Sequence, residues 1–244
     1  MRDGDLFILA SLHKMIPKDN ADYENFQNRA IRWSASCDDE PKTGNKALRK
    51  EFGVNLWQAR LYHAARNQLL YCDDGKCFGE MLVQFSIEHG KLEETDLFLA
   101  QAVLQLLCIN SIQVAKDVFA TYTEKHPNSS SLPPFKQPLI NFLLFLFNSI
   151  DRQERTWFIT LTKQYQPSLK RDPTYQRYIA IIGETYFNLK SKSSAPSSAG
   201  GINSIFSNMM NMFNTPAPED DGDASTEEVK EDKPAAAEVE DDLD

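Results

Sequence analysis

The chain has 244 residues and a net charge of −9 at neutral pH, which is enough length for one large domain or two small ones. The negative charge is concentrated between Glu219 and Asp244, where 13 acidic residues accompany 2 lysines, so the remaining residues carry a net charge of +2. This balance argues against a nucleic-acid-binding body, and the longest apolar run, Leu139–Phe147, is shorter than the roughly 20 residues of a membrane-spanning helix.

Apolar residues at helical spacing predict five helices before residue 90. The predicted helices are Leu6–Met15, Ala21–Ser36, Lys46–Ala59, Arg60–Tyr71 and Lys76–Glu88. Gly53 lies inside the third of them, at a position where glycine is costly for a helix.

The next predicted helix, Asp96–Ile109, is apolar around almost its whole circumference, and only Gln101 and Gln105 form a narrow polar stripe. A helix of this kind needs neighbours on most of its sides. We therefore expect it to lie in the middle of the fold, with Thr95 as its N-cap.

A second helix, Ser111–Lys125, follows after a very short connection and is amphipathic. Because the connection is short, the two helices must fold back antiparallel, with Ser111 as the N-cap of the second. The pattern predicts one unit in a stack of helix pairs.

The C-terminal part of the predicted domain is also helical. The loop Asn128–Gln137 precedes a helix at Leu139–Ile150, which pairs with Arg152–Gln166, and a basic connector, Pro167–Pro173, leads to a last helix at Thr174–Leu189. Residues 1–189 therefore predict an all-α domain, with no stretch of strand alternation. Because the helix pairs are similar in length but share no strict repeat pattern, we expect a degenerate, tetratricopeptide-like α-solenoid of stacked antiparallel pairs rather than a closed bundle.

The composition changes at residue 190. Residues 190–214 are predicted to be a flexible linker that contains a short amphipathic helix, Ile202–Phe213, and residues 215–244 a disordered acidic tail. The apolar, Met-containing face of the short helix suits varied apolar partners. Two interpretations stay open for this segment: docking onto a partner or the chain's own groove, and a mostly unfolded state.

No residue pattern predicts catalysis, a cofactor or a metal site. The histidines His13, His63, His89 and His126 lie in different elements and are expected at the surface or at helix ends. Cys72 and Cys77 are spaced too widely for a zinc knuckle and are expected to be buried thiols beside a turn. The four irregularly spaced cysteines indicate reduced thiols in a cytosolic or nuclear protein, and the start of the sequence does not resemble a secretory signal. Because no catalytic motif appears, we expect a protein that is not an enzyme.

Aromatic side chains in the last helices are expected to be mostly core, with a minority lining a groove for a partner helix. The candidate partner-binding residues in the solenoid and in the 202–213 segment are Phe142, Phe145, Trp157, Phe158, Tyr165, Tyr175, Tyr178, Ile205, Phe206, Met209 and Phe213.

Several long strings in the chain resemble one known family. The run from Ala100 to Cys108 and the run from Val118 to Pro127 are similar to the Golgi-to-ER traffic protein four family, as are Pro133–Phe135, Pro138–Phe142 and Gln164–Pro173. The resemblance covers roughly Leu9 to Phe187, and the glycine pair, apolar segment and acidic end also resemble animal members.

The resemblance implies a cytosolic α-solenoid adaptor, without catalytic activity, in the targeting of tail-anchored membrane proteins to the endoplasmic reticulum. It implies that the N-terminal part contacts a targeting ATPase. It implies that the C-terminal part binds a ubiquitin-like protein or a BAG-domain chaperone scaffold, so that the ATPase is brought to a chaperone-bound client.

The sequence departs from the family at its start, because members carry further helices before the point that matches Leu6. We expect either a truncated gene model or a short isoform, with apolar surface exposed at the uncapped solenoid end. This departure puts contact with the ATPase in doubt, whereas docking through the C-terminal half is expected. The alternative function is a scaffold subunit of another complex, of the proteasome-lid or vesicle-coat type.

Overall fold

The computed structural model describes residues 2–18, 20, 22–37, 40–129 and 132–189, and all regular elements in those ranges are helical. The α-helices are α1 (Asp3–Met15), α2 (Tyr23–Ala35), α3 (Lys46–Gln58), α4 (Tyr62–Leu69), α5 (Gly75–His89), α6 (Thr95–Cys108), α7 (Ile112–Lys125), α8 (Pro138–Arg152), α9 (Arg155–Gln164), α10 (Gln166–Leu169) and α11 (Pro173–Phe187). The segment Ile202–Phe213 and the predicted acidic tail lie outside the described residues.

The helices stack in the manner of a solenoid. Helices that lie two apart in the chain contact each other: α1 contacts α3, α5 contacts α7, and α6 contacts α8. Consecutive helices, such as α3 and α4 or α8 and α9, pack as pairs within the stack, and α11 returns to pack on α6 and α9. The predicted all-α solenoid is confirmed.

Helix α6 lies in the interior, as its apolar circumference predicts. It contacts α5, α7, α8 and α11, and its fully buried side chains include Leu99, Val103, Leu104, Leu106 and Leu107. Its polar stripe joins two other helices, because the Gln105 amide donates to the Tyr178 hydroxyl at 2.7 Å and its carbonyl oxygen accepts from Arg66. Gln105 thereby connects α4, α6 and α11.

Helices α5 and α7 approach each other closely at two glycines of α5. A Cβ atom on Gly75 would lie 2.6 Å from the Cβ of Asp117, and one on Gly79 would lie 2.8 Å from the Cβ of Thr121. A Cβ on Gly53 of α3 would lie 2.6 Å from Leu69 Cγ in α4. The glycines are therefore tolerated inside helices because neighbouring helices occupy the space that a side chain would need.

The structure corrects the details of three helix boundaries. Thr95 is the first residue of α6, not its N-cap, because the 3-10 turn Leu92–Glu94 already gives it helical backbone angles of −51° and −42°. Ser111 occupies the N-cap of α7 but its side chain makes no capping hydrogen bond. The predicted connector Pro167–Pro173 contains most of α10, whose first turn accommodates a proline.

The N-terminal helix is buried on one side and exposed on the other. On the inner side, His13 is stacked 4.0 Å from the ring of Phe52 in α3. On the outer side, Phe7, Ile8, Leu12 and Met15 are exposed. Large apolar side chains are thus exposed on the outer side of α1 in this structure.

Candidate partner-binding surface

The aromatic side chains of the C-terminal helices divide into core and surface residues. Phe142, Phe158 and Tyr175 are buried, and the Phe158 ring stacks on Phe187 with 4.5 Å between ring centroids. These three residues are inaccessible to a partner in this structure, which corrects their place in the candidate set. Their burial follows from the packing of α8 and α11 on α6 and of α9 on α8 and α11.

Three of the candidate aromatic residues are accessible on α8 and α9. Phe145 of α8 is 36% exposed, and Trp157 of α9 and Tyr165, which directly follows α9, are half-buried. Because α8 packs against α9, we treat Phe145, Trp157 and Tyr165 together and call them the α8–α9 surface.

The half-buried members of this surface are held by neighbouring side chains. The Arg152 guanidinium lies over the Trp157 ring at 5.4 Å from its centroid, and the Tyr165 ring lies 5.6 Å from that of buried Phe142. Aromatic groups that are held in this way offer apolar contact area at a small cost in conformational entropy, as anchor residues of interfaces do.

Tyr178 belongs to an internal network instead. Its hydroxyl accepts from Gln105, and its backbone carbonyl accepts from the Cys108 thiol at 3.7 Å. The contacts of this half-buried residue tie α11 to α6. The remaining candidates, Ile205, Phe206, Met209 and Phe213, lie outside the described residues.

One concave feature was not predicted from the sequence. A groove of about 380 Å³ lies between α4, α5, α6 and the start of α11. Its apolar lining includes Phe85 and Phe98, whose rings meet edge to face with 5.0 Å between centroids, and its polar lining includes His63, Arg66 and Glu94. Residues of separate helices form this groove. Several of them, including Gln101 and Tyr175, were singled out from the sequence, but no local pattern predicted that they lie together.

The thiols of Cys72, Cys77 and Cys108 are unsuited to nucleophilic chemistry at neutral pH. Burial raises the pKa of Cys72 to about 12, that of Cys77 to about 11 and that of Cys108 to about 12. Thiols with such pKa values stay protonated and poorly reactive.

Two histidines lie at helix ends, as expected, and are buried: His13 is in the last turn of α1, and His126 is the C-cap of α7. His13 Nε2 lies 2.7 Å from the Tyr23 hydroxyl and 3.1 Å from Gln27 Oε1, and burial lowers its pKa to about 4. His126 stacks on Tyr122 with 5.0 Å between ring centroids, because the two are one turn apart. Their partners are protein groups of neighbouring turns and helices, which indicates a packing role.

The described ranges contain no group of three or more histidine, cysteine, aspartate or glutamate residues placed to hold a metal ion. None of the helices in those ranges has the length and apolar character needed to cross a membrane.

Comparison with known proteins gives one consistent family. A family model described as Golgi to ER traffic protein 4 matches residues 5–210. The chain is 39% identical over 232 residues to the Golgi to ER traffic protein 4 homolog of Oryzias latipes, and the aligned region covers 95% of this chain and 69% of that protein. It is 38% identical to homolog A of Xenopus laevis, covering 87% and 63%, and 36% identical to the Homo sapiens homolog, covering 89% and 64%. The chain thus spans about two thirds of the length of these relatives.

A solved structure titled "Crystal structure of C. therm. Get4" is similar in fold. The TM-score is 0.70 at 18% sequence identity, and the similarity covers 93% of this chain and 74% of that one.

Proposed function

Because the chain belongs to the Golgi to ER traffic protein 4 family, we propose that it is a non-enzymatic, cytosolic adaptor in the targeting of tail-anchored membrane proteins to the endoplasmic reticulum. The family match over residues 5–210 carries this proposal. It supports a role in traffic directed to the endoplasmic reticulum, and the all-helical stack supports a protein that works by binding other proteins.

We assign the C-terminal half to a ubiquitin-like protein or a BAG-domain chaperone scaffold, with the α8–α9 surface as the contact. Phe145 is exposed and Trp157 and Tyr165 are half-buried, so their rings can become fully buried on binding, which is the usual behaviour of interface anchor residues. We assign no residue of the described ranges to the targeting ATPase.

A titration of the full chain with each purified partner tests the assignment. Phe145→Ala and Trp157→Ala should each weaken binding by a factor of ten or more, on the order of 1.4 kcal/mol or greater, as truncated anchor residues do. Ile87→Ala is the matched control, since Ile87 is an exposed apolar residue of α5. Equal affinities for all three variants and the parent chain would show that the α8–α9 surface is not the contact.

The alternative function, a scaffold subunit of a proteasome-lid or vesicle-coat complex, rests on the α-solenoid fold alone. The family match favours the targeting role, because a fold shared by many complexes carries no function by itself. Affinity capture that recovers lid or coat subunits without targeting factors would reverse this preference.

A further inference from the structure

The groove between α4, α5, α6 and the start of α11 is not used by the proposed function, and we call it the α6 groove. Its lining residues along α6 are Glu94, Leu97, Phe98 and Gln101, which have the spacing of one helix face. Glu94 is the N-cap of α6, and the face from Glu94 to Gln101 is about 10 Å long. The α6 groove therefore follows one side of the central helix from its N-cap to its middle.

Arg66 of α4 lies towards the Gln101 end of this face. Its guanidinium donates to the Gln105 side chain, one turn further along α6, and this is the one hydrogen bond that Arg66 makes with the described residues. None of the ion pairs among those residues includes Arg66. Burial lowers the pKa of the Arg66 guanidinium, because surroundings of low polarity disfavour the charged form.

Two other arginines that connect helices show what Arg66 lacks. Arg171 is paired with the carboxylate of Asp96. Arg49 donates to the Thr43 carbonyl through two nitrogens and to Gln68 through a third. A cation that is withdrawn from water costs free energy unless a partner compensates it, and the remaining N–H groups of Arg66 are available to such a partner.

The acidic residues of the α6 groove lie at its other end. Glu94 caps the 3-10 turn before α6, and Asp172 caps α11, each through a side-chain hydrogen bond. The two are close to each other, since Arg171, the neighbour of Asp172, donates to the carbonyl of Glu93. The α6 groove is therefore acidic near the N-cap of α6 and basic at Arg66.

Aromatic rings form the wall between the two ends. The Phe85 ring meets Phe98 with 5.0 Å between centroids and His63 with 4.9 Å, both edge to face. A volume of about 380 Å³ along such a face is too narrow for a helix, whose diameter with side chains is about 10 Å. It suits an extended segment of about three to five residues, which spans roughly 10–16 Å.

We propose that the α6 groove binds an extended peptide segment of a partner protein, whose acidic side chain pairs with Arg66. An apolar side chain of the same segment packs on the rings of Phe85 and Phe98, and a basic one lies at the Glu94 end. The planar guanidinium matches a carboxylate through two parallel hydrogen bonds. The opposite charges at the two ends disfavour segments that present the wrong charge to either end. This inference does not depend on the proposed function, which concerns the α8–α9 surface.

Selection from a library of random peptides displayed on phage, with the full chain as bait, tests the proposal. Recovered peptides are synthesised and titrated with the parent chain and its variants. We expect peptides in which an apolar residue lies between an acidic and a basic residue that are about three to five positions apart. Arg66→Gln should weaken their binding at least tenfold.

The matched control is Arg32→Gln, which removes the same charge from an exposed position of α2 and should leave the affinity unchanged. Arg66→Lys keeps the charge but not the planar fork, so its affinity should fall between those of Arg66→Gln and the parent chain. A selection in which no peptide depends on Arg66, or equal effects of the two glutamine variants, would overturn the proposal.

A double-mutant cycle distinguishes direct pairing from a change in the fold. Replacing the acidic residue of a selected peptide with glutamine should weaken its binding to the parent chain but not to Arg66→Gln. Additive losses would contradict a contact between Arg66 and the peptide carboxylate. The melting temperature of Arg66→Gln should stay within about 2 °C of the parent value, and a much larger drop, shared by Arg66→Lys, would show that Arg66 is a structural residue instead.

Discussion

Replacing Arg171 with alanine should strongly destabilise the solenoid, because Arg171 balances a buried charge in α6. Asp96 is the second residue of α6 and is 1% exposed. Arg171, in the turn between α10 and α11, donates to Asp96 Oδ2 at 2.6 Å and to the Glu93 carbonyl at 2.8 Å. One side chain thus joins the start of the central helix to the C-terminal helices.

The expected loss follows from what remains around Asp96 after the change. Removing one partner of a fully buried ion pair costs about 3–5 kcal/mol. The Arg171 side chain is 35% exposed, so water reaches the site, and the positive end of the α6 dipole retains roughly 0.3–1 kcal/mol of stabilisation for Asp96. Together these effects reduce the predicted loss in the free energy of unfolding to about 2–3 kcal/mol.

Urea unfolding of the full chain at pH 7, followed by circular dichroism at the helical band, measures this loss. Arg171→Lys keeps the charge but not both hydrogen bonds and should cost about 1 kcal/mol. Lys170→Ala, the exposed neighbour, should stay within about 0.5 kcal/mol of the parent chain. A loss below about 0.5 kcal/mol for Arg171→Ala would refute the view that the Arg171–Asp96 ion pair stabilises the packing of the C-terminal helices on α6.

Three further changes follow from the same structure. His13 has a pKa of about 4 in the fold, against an ordinary value of 6.5, so the unfolded chain binds a proton before the folded chain does as the pH falls. The free energy of unfolding should therefore drop by up to about 2 kcal/mol between pH 7 and pH 5. Urea titrations at each pH should show a smaller drop for His13→Gln. Gly79→Ala should lower the free energy of unfolding by about 1–3 kcal/mol, because the added methyl group overpacks against α7. Gly4→Ala should not lower it, because the space around Gly4 is open. Equal melting temperatures for the two variants would contradict this difference. Phe142→Ala should cost about 3–5 kcal/mol as a core truncation and Phe145→Ala under about 1 kcal/mol, so that similar losses would refute their division into core and surface.

The apolar pattern was sufficient to predict the helices and the position of α6, but not the role of individual aromatic residues. Phe142 and Phe145 lie three residues apart on the same strongly apolar helix. Only the packing of α8 on α6 and α9 determines that the first is buried and the second exposed. Helical spacing describes each helix separately, whereas the burial of a side chain depends on which other helices pack against it.

The same limit explains the groups that sequence reasoning missed. His13 is buried because Tyr23 and Gln27 of α2 and Phe52 of α3 surround it, and no local pattern brings those helices together. Gly75 and Gly79 are four residues apart on α5, and that spacing of small residues was the available signal for a close helix crossing.

The central claim, that this chain is an adaptor of the tail-anchored protein pathway, is tested most directly by isothermal titration of the full chain with the purified ubiquitin-like protein and with the BAG-domain scaffold. We predict a saturable complex with at least one of them at micromolar or lower concentrations. Finding no complex with either partner at micromolar concentrations would contradict the account.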